Sequence, residues 1–100
     1  MGNPAIDFPW ARTQLTNADV LVQTGACVLH NIVINGTTTV GDVEVFDGVD
    51  NTGTSIATLT LRSAVQVSIQ PITLSYDCEM SNGIFLEVTA FVGSLTITHK

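Results

Sequence analysis

Positive charge is what this sequence has least of. Three Lys and Arg residues stand against nine Asp and Glu, a formal net charge of −6 over 100 residues. Affinity for nucleic acid and for anionic membrane is driven by Lys and Arg contacts to phosphate. Arg12, Arg62 and Lys100 make no basic patch of useful size. DNA, RNA and a membrane surface are therefore not expected as partners. Charge of either sign is scarce, at 12% of residues, about half of the ~25% usual in soluble domains. Much of the surface must then be Thr, Ser, Asn and backbone. Such a surface does little to discourage protein contacts, so a homo-oligomer is expected.

Cysteine is nearly absent too. Cys27 and Cys78 are the only two. Structural zinc wants four closely spaced ligands, so no metal site or cofactor is expected from them. The opening residues carry no basic and apolar signal pattern, which favours free thiols over a disulfide. Each Cys falls in a strand-like run, where a free thiol behaves as a small core residue. No apolar run approaches the roughly 18 residues of a membrane span. Helical periodicity is also missing.

What is present is period-two alternation broken by Gly, Asn, Asp and Thr. The spacing predicts strands over 20–24, 27–35, 40–47, 54–61, 65–69, 72–78, 84–90 and 94–98. Asn35-Gly36 and Ser81-Asn82-Gly83 read as turns, and Asp47–Gly53 as a polar loop. On the second run Val28, His30, Ile32 and Ile34 are expected to share one face, and Leu29, Asn31 and Val33 the other. On the third, Val43 and Val45 oppose Glu44 and Phe46. Pro71 demotes the run before it to an edge or a bend. Gly93 is expected to turn the chain into its last strand. Seven or eight short strands with evenly spaced turns predict an all-β, antiparallel β-sandwich, jelly-roll-like. Residues 20–100 form that domain. Residues 1–19 read as an extended N-terminal arm or a first edge strand. Phe8 and Trp10 there pack on their own core or anchor on a neighbouring subunit, since aromatics are enriched at interface centres.

Residues with chemistry are few, and none form a recognisable constellation. His30 shares its expected face with isoleucines and reads as a structural histidine. His99 meets it only if the last strand neighbours the second. Asp47, Asp50 and Asn51 offer hard oxygen ligands of the kind calcium takes, but without EF-hand spacing; a hairpin turn explains them. Glu79 and Glu87 flank one turn and form a candidate carboxylate pair of the glycosidase kind, with no sugar cleft around them. Asn35-Gly36-Thr37 matches a glycosylation sequon that the turn reading absorbs. An enzyme is not expected.

Three runs carry a family likeness: Gly25–Ile34 (GACVLHNIVI), Gly41–Gly48 (GDVEVFDG) and Gly53–Leu59 (GTSIATL), with Asn82–Val88 (NGIFLEV) following. They resemble small virion proteins of tailed bacteriophages, over about Gly25 to Ile97. The resemblance implies a β-sandwich on the capsid exterior of a virion, assembled in the host cytoplasm. The leading case is a decoration or cement protein that binds the major capsid protein, commonly as a trimer. Residues expected at the contact are Phe8, Trp10 and Arg12. Alternatives are a neck, tail or fibre-associated component, or a carbohydrate-binding β-sandwich module.

Overall fold

The computed structural model describes residues 10–61 and 72–100. Phe8, the 65–69 run and Pro71 lie outside the described residues. Within them the chain forms eight strands: β1 (Ala11–Leu15), β2 (Val20–Thr24), β3 (Cys27–Thr39), β4 (Gly41–Asp47), β5 (Thr54–Leu61), β6 (Ile72–Met80), β7 (Gly83–Thr89) and β8 (Val92–His99). They make two four-stranded sheets, in the orders β1-β8-β3-β6 and β2-β7-β4-β5. All named strand pairs are antiparallel. The architecture is a β-sandwich, as the alternation predicts. The segment read as an arm or an edge strand is an edge strand over Ala11–Leu15, paired with β8.

Period-two burial decides which side of each strand faces in. In the first sheet, residues in register across all four strands form apolar inner rows, such as Leu15–Leu95–Ile34–Ile72. Leu29, Ile32, Leu95 and Ile97 are fully enclosed. Val43, Val45, Ile84 and Leu86 face them from the second sheet, likewise with no exposure. Each such side chain contributes about 1.5–3 kcal/mol by leaving water.

Several local expectations are corrected. β3 does not turn at Asn35-Gly36. It runs on to Thr39, because β8 offers it partners as far as Thr39↔Val92. The face assignment on β3 is also wrong before residue 31. Leu29 pairs with Cys78, but Asn31 pairs with Ser75, so the ladder is irregular between them. The side facing inward changes parity there, from Cys27 and Leu29 to Ile32 and Ile34. Such a bulge is the device that rephases a strand without ending it. Similarly, Phe46 is buried despite lying opposite Val43 and Val45 in phase; it packs on Phe85, with ring centroids 6.3 Å apart. Ala90 is not an inward strand residue but exposed at φ 64°, past the end of β7. The core position goes to Phe91, which is 1% exposed. Gly93 lies within β8, paired with Thr37.

Close backbone approach requires glycine at several positions, Gly83 and Gly41 among them. A Cβ on Gly83, at φ 146°, would lie 2.6 Å from the Gln23 carbonyl oxygen and 2.8 Å from that of Gly48. A Cβ on Gly41 would lie 2.3 Å from Phe91 N and 2.4 Å from the Thr89 oxygen. Backbone cannot swing aside as a side chain does. Gly41→Ala is therefore expected to destabilise by about 1–3 kcal/mol or more, measured by urea unfolding. A midpoint equal to that of the parent would refute this close approach.

Candidate binding surface

Sequence reasoning singled out Trp10 and Arg12, and both belong to β1 or its entry. In register, Arg12 lines up with Thr98, Asn31 and Ser75 across the first sheet, and Gln14 with Thr96, Val33 and Thr73. These rows alternate with the apolar inner ones and so form the sheet's outer side. Side chains knit this side together. Asn35 Nδ2 donates to Thr96 Oγ1 at 2.9 Å and to Ser94 Oγ at 3.3 Å. Thr96 donates in turn to Gln14 Oε1 at 3.2 Å. Thr98 donates to the Asn31 side-chain oxygen. The result is a polar lattice almost without charge. Arg12 is exposed and has no ion pair among the described residues.

Trp10 neither enters the core nor stands free. Its ring stacks on His30, centroids 4.2 Å apart and planes at 10°, and it stays 41% exposed. His30 sits at the β3 bulge and bonds Asp77 through Nδ1. Asp77 holds φ 47°, the matching departure on β6. Trp10, His30 and Asp77 thus form one group on this surface. No local signal could have revealed it, since His30 and Asp77 are 47 residues apart.

The other candidates separate. His99 is 7% exposed and joins the two sheets. Its Nδ1 lies 2.7 Å from Gln23 Oε1, and its Nε2 lies 3.0 Å from Thr13 Oγ1. Gln23 Nε2 donates to the Lys100 carbonyl, which leaves Oε1 as acceptor for His99. The imidazole is therefore a neutral ring with its proton on Nδ1, accepting from Thr13. Although β8 does neighbour β3, His99 faces inward and makes no pair with His30. Glu79 and Glu87 fall on strands of different sheets. Glu87 accepts from Asn51 instead. The acidic loop is a turn. Asp47 accepts the amides of Ser81 and Asn82 at 3.1 and 2.8 Å, which holds its carboxyl below the usual range. Asp50 caps Thr52 through its hydroxyl and its amide. Among the described residues no group of His, Cys, Asp and Glu converges as a metal site. Cys27 is buried, and burial raises its thiol pKa; both cysteines are free.

A shallow cleft of about 350 Å³ opens where β3 and β8 are irregularly paired, lined by Asn35, Gly36, Thr37, Thr38, Gly93 and Ser94. Its lining residues carry no charge, and more of the lining surface is apolar than polar. Compared with known proteins, the chain matches no family model and no curated protein.

Two outcomes follow. Burial lowers the pKa of His99, so the unfolded chain takes up its proton first, near pH 6.5. Stability from this group is present above that pH and lost as the pH falls through the depressed folded value. Urea midpoints should drop between pH 7 and pH 5, and His99→Gln should flatten that slope; an unchanged slope would contradict the assignment. Trp10 is the only tryptophan. His30→Ala removes a stack worth about 0.5–1.5 kcal/mol and should red-shift its emission with the far-ultraviolet spectrum unchanged. Emission identical to the parent would show that the stack does not form.

Proposed function

We propose that the chain is a structural protein of a bacteriophage particle, a decoration or cement protein that stabilises the head by bridging capsid subunits. We read its sandwich as a jelly roll. Supporting that reading, β1 pairs β8, β2 pairs β7, β3 pairs β6 and β4 pairs β5, the nesting of one long hairpin rolled into two sheets. Jelly rolls recur in capsid and lectin domains, but fold alone assigns no role. The role rests on the resemblance of Gly25–Ile97 to phage virion proteins and on one surface observation. That observation is the outer side of the β1-β8-β3-β6 sheet: a hydrogen-bonded lattice of uncharged side chains with an exposed Trp10 and, without an ion pair among the described residues, Arg12 at its β1 margin.

The Asn, Thr, Ser and Gln rows of this side cost less to desolvate than ionised groups would, while Arg12, Asp77 and Glu79 supply its charge. Trp and Arg are the side chains that most often dominate an interface. Weak contacts of this kind become effective when symmetry repeats them over a shell. In the proposed arrangement the major capsid protein is the partner, and the chain binds as a trimer at three-fold positions.

The uncharged cleft beside Asn35 favours a second reading, a carbohydrate-binding module, since the side chains of Asn35, Thr37, Thr38 and Ser94 suit sugar hydroxyls. Both readings meet one experiment. The full chain is mixed with undecorated phage shells and sedimented, and separately applied to a glycan array. The capsid reading predicts co-sedimentation, weakened about tenfold or more by Trp10→Ala or Arg12→Glu. No co-sedimentation, or variants that bind like the parent, would overturn it. Glycan binding abolished by Asn35→Ala would replace it with the second.

A further inference from the structure

The chain has four sulfur-bearing residues, two Cys and two Met. Three of them meet at one place in the fold. Cys27 on β3 stands in register opposite Met80 on β6. Cys78 lies two residues before Met80 on the same inward side, with its Sγ 3.9 Å from Met80 Sδ. We propose that Cys27, Cys78 and Met80 form a binding site for a soft monovalent metal ion of the copper(I) class.

The ligand set selects the metal. Thiolate and thioether sulfurs favour copper(I), whereas a structural zinc site wants four ligands of the thiolate and imidazole kind. With metal–thiolate bonds of about 2.3 Å, the sulfurs of a trigonal site stand about 4 Å apart, which the Cys78–Met80 contact already matches. Directly opposite residues have Cβ atoms about 4.5–5.5 Å apart, so the Cys27 side chain starts within reach of the same point. A disulfide fits less well. Cys27 faces Met80 and Cys78 faces Leu29, so the two cysteines are diagonal neighbours. Diagonal residues stand about 7–8 Å apart, at or beyond the limit of about 7 Å for bridging without moving backbone.

Access is open from one side. Met80 is 1% and Cys27 6% exposed, but Cys78 is half-buried on the edge strand β6. Burial first and then Asp47 raise the Cys27 thiol pKa, so binding there must displace a held proton. Binding is a ligand exchange without redox. Two S–H protons leave to solvent, two copper–thiolate bonds form, and Met80 donates a lone pair to the same ion.

The test uses the intact, reduced chain under anaerobic conditions, titrated with copper(I) against a bathocuproine chelator. The expected result is one copper per monomer with three sulfur neighbours by X-ray absorption. Met80→Leu nearly conserves volume, so it should keep the fold by circular dichroism, lose one sulfur neighbour and weaken binding by about tenfold or more. Cys78→Ser, at a half-buried position, should abolish competition with the chelator. Two sulfur neighbours in the parent, equal affinity in Met80→Leu, or copper that bridges two chains would each overturn the site.

Discussion

The fold depends on a phase constraint in its longest strand. β3 pairs on both sides, with β8 and β6, and must present apolar residues to a single interior over 13 residues. A strict period of two cannot satisfy its sequence. Keeping Ile32 and Ile34 inward would send Leu29 and Cys27 to the outer side. Exposing one leucine forfeits about 1.5–3 kcal/mol. The irregularity at His30 resolves this: β3 carries one residue more than β8 there, and β6 one more than β3. Its partner strand answers with Asp77 at φ 47°, a conformation costing about 1–3 kcal/mol. The two magnitudes are comparable, so the irregularity persists only because both Leu29 and Cys27 gain burial from it.

Much else follows from that single break. Outside, the extra residue projects the His30 ring where Asp77 can bond it and Trp10 can stack on it. Inside, it brings Cys27 to the same side as Cys78 and Met80. Beyond the break, the outer side returns to a regular ladder of Asn, Thr, Ser and Gln. These residues satisfy one another sideways, which orders their rotamers before any partner arrives. Beside the break, His99, in register with Leu29, ties β1 and β8 to β2 through Thr13 and Gln23. One face is thus a preorganised polar surface and the other side of the same strands is core.

The regular parts of this arrangement were legible in the sequence. Thr54–Leu61 and Val20–Thr24 match their alternation to the residue, and the Ser81-Asn82 turn stands where its composition put it. Of the alternating Ile72, Leu74, Tyr76 and Cys78, Tyr76 and Cys78 pack on the core and Leu74 is half-buried, while Ile72 at the strand end is exposed. The failures share one physical cause. Asn35-Gly36 has turn chemistry, yet β8 supplies backbone partners that the turn would have left unpaired, and the strand continues. An added residue is invisible to a period count, so the faces of β3 before residue 31 came out inverted. Phe91 was missed because Ala90 leaves the strand with a positive φ, which no apolar pattern announces. Trp10 stood out as a large aromatic in the N-terminal segment, and Arg12 as part of the contact set that the resemblance implies. Their surroundings, His30, Asp77 and the polar lattice, arise from pairings dozens of residues apart.

The central claim is that β3 and β6 slip phase against each other at His30. Cross-strand nuclear Overhauser contacts on the labelled chain test it directly. The account predicts Leu29 facing Cys78 while Asn31 faces Ser75, two steps along β3 for three along β6. An unbroken ladder, with Asn31 facing Tyr76, would contradict it and remove the structural basis for the Trp10 surface.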